Sequence, residues 1–476
     1  MVETLIRGVE VFDGSGTPPF MADVAITGDR ISCVGAASGV QAQRVIEGQG
    51  LALAPGFIDV HTHDDTNVIR QPDCLAKISQ GVTTVVVGNC GISAASATLN
   101  GPPPEPMNLL GRETDFCYPS FSSYAQAIES ARPAVNVAAL VGHTTLRNNV
   151  MDDLLRPATV EEIDQMRKAL SCAMAEGALG LSSGLAYAPA RQANIDEVIA
   201  LAQVVSEFGG IYTTHMRDEA DEILSAIDEA LTTGQKAEVP IVISHLKCAG
   251  AGNWGRTKDV LKMLDNASRN QSVSCDCYPY TASSTILDLR QVSEEIDIFI
   301  TWSEGKPEHA RKLLKTIAKE TNLPLLEAAR ALQPAGAVYH CMDEQDVRRV
   351  LSHQLTAIGS DGLPNDPHPH PRLWGTFPRV LGHYCRDERV MPLTKGVHKM
   401  TGYSASRFGL TGRGLITEGA YADLVLFDPI TIRDTATYEQ PFAAAEGIEA
   451  VFVNGMLAYQ SGGASEQRAG RFLRRG

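Results

Sequence analysis

The sequence predicts an α/β protein: a (β/α)8 TIM barrel with a small β-sandwich domain formed by both termini and a lid inserted after barrel strand seven. Three observations lead there. Eight short apolar runs recur along the middle of the chain, separated by amphipathic segments. Two ends of different, β-rich texture flank that middle. The reactive polar residues fall at the C-terminal ends of the apolar runs, the face on which such barrels build their sites.

The first 50 residues alternate apolar and polar in TLIRGVEVFDG, DVAITGDRISCVG and RVIEGQGLALAPG, which reads as short strands joined by glycine turns. The same texture returns in ADLVLFDP and AVFVNGMLAYQSG, where Asn454-Gly455 is a hairpin signal. One small domain is expected from residues 1–53 with 415–476, and a catalytic barrel from 54–414.

The barrel strands read as 53–63, 83–90, 136–143, 179–185, 210–216, 241–247, 273–280 and 356–362. Segments such as VEEIDQMRKALSCAMAEG and KDVLKMLDNASRN supply helices between them. Buried strands alternating with helices imply a parallel sheet, and eight units favour closure over an open sheet. The long gap between strands seven and eight reads as largely helical (EHARKLLKTIAKE, LPLLEAARAL), and its residues 285–345 are expected to form a lid.

Composition narrows the class. The 476 residues are 44% hydrophobic and 20% charged, as in a globular enzyme. The net charge of −15 argues against a nucleic-acid surface. A few basic residues can still set the field inside a pocket for a small anion. The N-terminus lacks the pattern of a signal peptide and no run is long enough to span a membrane, so a cytoplasmic location is expected. The ten cysteines have no disulfide-framework spacing; thiols and one metal ligand are the expectation.

The chemistry begins at APGFIDVHTHDD, where His61 and His63 end the first barrel strand. Residues two apart on a strand face the same side, so both imidazoles can grip one ion. Imidazole suits zinc, and an open zinc site activates water. Cys90, His143, His215, His245 and Asp361 end strands two, three, five, six and eight. Any one alone reads as a core or surface residue; coincidence at several strand ends favours ligands. Cys90 also reads as a small buried thiol. Asp361, in Gly-Ser-Asp-Gly, is the expected general base, against the alternative of a structural turn aspartate.

This set resembles the amidohydrolase superfamily over essentially the whole chain. Many members carry a carbamylated lysine on strand four, which here reads Leu-Ser-Ser-Gly-Leu, so another anion must take its place. Cys90 in Val-Gly-Asn-Cys-Gly is the candidate. With GFIDVHTHDD, GNCGIS, SSGLAYAP, THMRDE, ISHLK, CYPYTASST and IGSDG, the chain is similar to the N-acyl-D-amino-acid deacylase (D-aminoacylase) branch. The resemblance implies a tightly held zinc on Cys90, His215 and His245, and a second, weaker position on His61, His63 and Asp361. Metal number stays open, and Cys90 is also a candidate bridge between two ions.

Such a substrate carries an α-carboxylate, so recognition needs positive charge near the metal. By resemblance, Lys247, Tyr278, Tyr187, Arg372 and Ser284 cradle it; each also reads as a surface charge or a satisfied core hydroxyl. His143 either bonds the substrate carbonyl or simply packs. Arg290, where strand seven leads into the lid, suits a second carboxylate and points to N-acyl-D-glutamate first and N-acyl-D-aspartate next. Its alternative is a surface ion pair with Asp288. Handedness follows from the resemblance alone.

Three rivals remain open. A D-aminoacylase for apolar side chains differs only in its pocket. A cyclic amidase predicts the missing strand-four lysine. A non-catalytic barrel scaffold predicts lost metal ligands. Oligomeric state, acyl preference and pathway are not legible.

Overall fold

The structure, a computed structural model, describes residues 1–99, 101–460 and 462–475. Eight barrel strands run Phe57–Asp59, Val82–Val87, Asn136–Ala139 (continued by Val141–Gly142), Gly180–Gly184, Ile211–His215, Ile241–Ile243, Val273–Cys277 and Thr356–Ile358. Successive strands pair in parallel. The seam between the last and the first closes through Asp361 N–H to His61 O at 2.7 Å and His63 N–H to Gly362 O at 3.0 Å. Strands covered on both faces need apolar side chains throughout, and VTTVVV is buried at every position.

Helices return the chain between strands. Val160–Ala175 starts at Thr159, whose side chain accepts the Glu162 N–H, and Ile195–Glu207 starts at Asn194, which accepts the Glu197 N–H. Among the described residues no helix is long and apolar enough to cross a membrane. All ten cysteines are unbridged.

The apolar run 53–63 serves two sheets. Ala52–Pro55 pairs with Leu424–Phe427 in the terminal sheet, while Phe57–Asp59 opens the barrel. Gly56 separates them, and a Cβ there would lie 2.2 Å from Thr83 side-chain atoms. The terminal domain is hydrogen-bonded as one forked nine-stranded sheet. Val2–Val11 carries Phe20–Thr27 on one edge, and Ala42–Glu47 then Ala52–Pro55 on the other. Strands from the C-terminal segment extend it through Leu424–Phe427, Ile448–Val453 and Met456–Gln460. Ile6, Val24, Leu53, Leu424 and Phe452 fill the core inside the fork.

The insertion after strand seven carries the two expected helices but also a sheet that the helical reading lacked. Its centre is a four-stranded antiparallel sheet of Ser283–Ile286, Ala335–Tyr339, Ile298–Ser303 and Lys312–Leu313. Helices Leu314–Thr321 and Leu325–Leu332 accompany that sheet. The stretch EHARKLLK begins in a short 3-10 turn and turns α-helical only at Leu314, because Lys312–Leu313 pairs with Phe299 and Ile300. The β-branched alternation of IFITWS was the readable sign.

Candidate metal centre

Strand ends from around the barrel converge at its C-terminal mouth. Cys90, His245 and Asp361 all have positive φ, 53°, 35° and 49°. Such backbone costs about 1–3 kcal/mol per non-glycine residue and clusters at functional sites. Three of the expected ligands therefore sit where the chain is strained.

The donor atoms of His61, Cys90, His245 and Asp361 lie within 4.8 Å of one another, all in buried residues. Cys90 Sγ is 3.2 Å from His61 Nε2 and 3.3 Å from His245 Nε2. Asp361 Oδ1 is 3.2 Å from His63 Nε2 and 3.5 Å from His61 Nε2. His215 joins through its ring, 4.4 Å from that of His245. The Nδ1 atoms of His63 and His215 are buried with no hydrogen-bond partner among the described residues. Thiolate, imidazole and carboxylate donors this close fit a zinc ion.

The electrostatics agree. Burial disfavours the charged forms of His61, His63 and His245, yet Asp276, Cys90, Asp361 and Glu219 overcome it. His61 is driven well above the imidazole range, and His63 and His245 to about 9. Burial would raise the Cys90 thiol, but His61, His245 and a hydrogen bond with His215 hold it well below its ordinary value. Burial would also raise Asp361; Arg372 and the histidines hold it far below the carboxylate range.

Two orienting carboxylates were missed by sequence reasoning. Glu219 Oε1 is 2.9 Å from His245 Nδ1, and Asp276 Oδ1 is 3.2 Å from His61 Nδ1. Carboxylates behind metal-ligating imidazoles set tautomer and ring orientation. Asp276 had a legible sign, a charge inside the apolar strand VSCDC. Glu219 ends the quoted string THMRDE, but nothing in that loop's spacing marks it as the partner of His245.

The expected substrate contacts divide. Arg372 is 1% exposed. It donates from Nη2 to Asp361 Oδ2 at 2.9 Å and to Ser284 O at 3.0 Å, with its guanidinium 4.6 Å from the Tyr278 ring centre. Arg372 Nε and Nη1, Tyr278 Oη and Ser284 Oγ are all buried without a partner among the described residues. Burial pushes the Tyr278 and Tyr187 phenols well up, so both keep their protons. Tyr187 lies against His215, ring centres 4.8 Å apart, with Oη 3.3 Å from Thr285 Oγ1. Lys247 faces the site, but its ammonium is bound at 2.6 and 2.7 Å by both oxygens of Glu219.

His143 and Arg290 are not drawn into the cluster. His143 opens helix His143–Val150, and its Nε2 lies 2.8 Å from Glu197 Oε1, which also accepts from Arg147 at 2.6 Å. A fully buried carboxylate needs such partners. Arg290 is ion-paired with Asp288, its side chain 58% exposed, and its Nη2 is 3.5 Å from Ala186 O beside Tyr187.

Comparison with known proteins agrees with this architecture. Residues 44–459 match the model of the amidohydrolase family. Three proteins of Alcaligenes xylosoxydans xylosoxydans are similar over nearly their full length. A D-aminoacylase is 48% identical, covering 99% of this chain and 98% of its own. An N-acyl-D-aspartate deacylase is 45% identical (98% and 94%), and an N-acyl-D-glutamate deacylase 44% (100% and 97%). The crystal structure of a D-aminoacylase superposes with a TM-score of 0.98 at 47% identity, covering 100% of both chains. That of N-acyl-D-glutamate deacylase from Bordetella bronchiseptica, complexed with zinc and a phosphonate inhibitor, gives 0.95 at 42% identity, covering 99% of both. By its sequence, its closed barrel and its converging donors, this chain belongs to the amidohydrolase family, as a metal-dependent hydrolase of the D-aminoacylase group.

Proposed function

We propose that this enzyme hydrolyses the amide bond of N-acyl-D-amino acids, releasing a carboxylate and a free D-amino acid, with D-glutamate derivatives preferred. The observation that carries the reading is the set of unpartnered buried donors on Arg372, Tyr278 and Ser284, one residue of which also grips Asp361. A guanidinium fork and two hydroxyls suit a carboxylate, and their link to Asp361 would set an N-acyl amino acid beside the reacting centre.

In this reading Cys90, His215 and His245 hold a tight zinc, and His61, His63 and Asp361 form a second, weaker position. When bound, zinc activates water near neutral pH and polarises the scissile carbonyl. Asp361, kept ionised by Arg372, takes the proton of the attacking water and passes it to the leaving amine nitrogen. Arg372, Tyr278 and Ser284 hold the α-carboxylate, while Lys247 adds positive field. Tyr187 lines the pocket beside His215.

Handedness rests on the relatives, all three of which are named for D-amino acids or D-aminoacylase activity. Arg290 supports the acidic preference, because it stands at the lid base near Tyr187 with its side chain accessible. Its pairing with Asp288 favours a second reading, an enzyme for apolar N-acyl-D-amino acids in which that pair stays closed.

A panel of N-acetyl-D- and N-acetyl-L-amino acids with zinc-loaded enzyme tests both. The first reading expects turnover of D-glutamate derivatives above D-leucine and D-methionine, and none of L forms. Preference for apolar D forms selects the second, and turnover of L forms alone overturns both.

A further inference from the structure

Lys77 sits on the short helix Leu75–Ile78, outside the motifs that supply the proposed ligands. Its ammonium is buried in the seam where strand eight closes on strand one, 1% exposed. It donates to Asp59 Oδ2 at 2.8 Å, Thr62 Oγ1 at 2.8 Å and Ser360 Oγ at 3.0 Å, and Asp64 Oδ2 is 3.1 Å away. The partners are tied to each other. Ser360 donates N–H to Asp59 Oδ1 at 2.8 Å and O–H to Asp59 Oδ2 at 2.6 Å. Thr62 O–H donates to Asp64 Oδ2 at 2.5 Å, and Gly362 N–H to Ser360 Oγ at 3.1 Å.

The placement is selective. Asp59 precedes His61 by two residues, Thr62 lies between His61 and His63, Asp64 follows His63, and Ser360 precedes Asp361. None of the four partners adjoins Cys90, His215 or His245. A fully satisfied buried ionic network is stiff, because each member has one low-energy arrangement.

We propose that Lys77 is a positioning residue that holds His61, His63 and Asp361 as one unit. It thereby keeps the weaker metal position and the proton-accepting carboxylate in register with the tight zinc. The inference rests on the deacylase reading above. Ligand placement must hold to about 0.5 Å, which loops at a barrel mouth do not achieve unaided. A lysine that merely clamps the barrel shut would instead affect fold and both metal positions alike.

Lys77→Met would strand two buried carboxylates and endanger the fold. Lys77→Arg keeps the charge but changes its shape, and Ser360→Ala removes one arm without leaving an unpaired charge. Both variants and the wild type are titrated with zinc, melted, and assayed for kcat and KM on one N-acetyl-D-amino acid. We expect near-wild-type melting and one retained tight zinc equivalent. The second equivalent should weaken about 10- to 100-fold. The kcat should fall by up to about 100-fold with little change in KM.

Unchanged second-site affinity and kcat overturn the inference, as does parallel loss of both equivalents with the melting temperature. A wild type that takes up only one equivalent overturns it too. A wild type without zinc uptake or hydrolysis overturns the deacylase reading itself, and this inference with it.

Discussion

Arg372 Nη2 stands 2.9 Å from Asp361 Oδ2, and both residues are buried at the barrel mouth. One guanidinium thus keeps the proposed base ionised while its remaining N–H groups stay free for a substrate carboxylate. The two duties can be separated by pH. Burial pushes the Asp361 carboxyl up, and Arg372 heads the charges that hold it far below the usual range.

Removing Arg372 raises that pKa. A base works only when ionised, so activity disappears as pH falls through the pKa, and in Arg372→Gln the loss begins at higher pH. The check is kcat/KM against pH at saturating zinc. An acid limb that stays in place argues against Asp361 as the titrating base.

Asp361→Asn preserves the size of the side chain and removes its proton affinity. Zinc at the proposed tight position on Cys90, His215 and His245 is expected to remain. Turnover should fall by about 10²- to 10⁴-fold, the usual range for losing a general base. Metal content together with kcat checks this, and near-normal turnover removes Asp361 from the role.

Cys90 and Glu219 should give graded metal losses. Cys90→Ala deletes the only sulfur donor of the cluster and should strip the tight zinc. Glu219→Gln leaves every proposed zinc donor in place but weakens the partner of His245 Nδ1, so affinity should drop about 10- to 100-fold. Zinc competition with a chelator reads both. Equal losses would place Glu219 among the ligands themselves.

Arg290→Ala should barely move stability, since an exposed ion pair contributes about 0–1 kcal/mol. Its effect should appear in selectivity, with a larger loss of kcat/KM on N-acetyl-D-glutamate than on N-acetyl-D-leucine. An equal loss on the two substrates removes the specificity role.

The site was legible to the extent that its residues end apolar strands. His61, His63, Cys90, His215, His245 and Asp361 each close a run of buried residues, and parallel closure brings such ends to one rim. His143 showed the same sign but turned into a helix start facing Glu197. Strand-end position alone does not reveal which way the chain bends next. The two helices of the insertion lie where EHARKLLKTIAKE and LPLLEAARAL suggest them, but its sheet was not legible, because Lys312–Leu313, helix-compatible by composition, pairs with Phe299 and Ile300.

Burial and periodicity are written into local patterns of apolar and polar residues, so the barrel strands, the β-rich ends and the donor types can be read along the chain. What stands behind the donors is set by the folded arrangement. Glu219 reaches His245 across 26 residues, Asp276 reaches His61 across 215, and Lys77 reaches Ser360 across 283. Ionic and hydrogen-bonded partners are selected by distance in space, and a charged residue carries no local mark of which distant group it will meet.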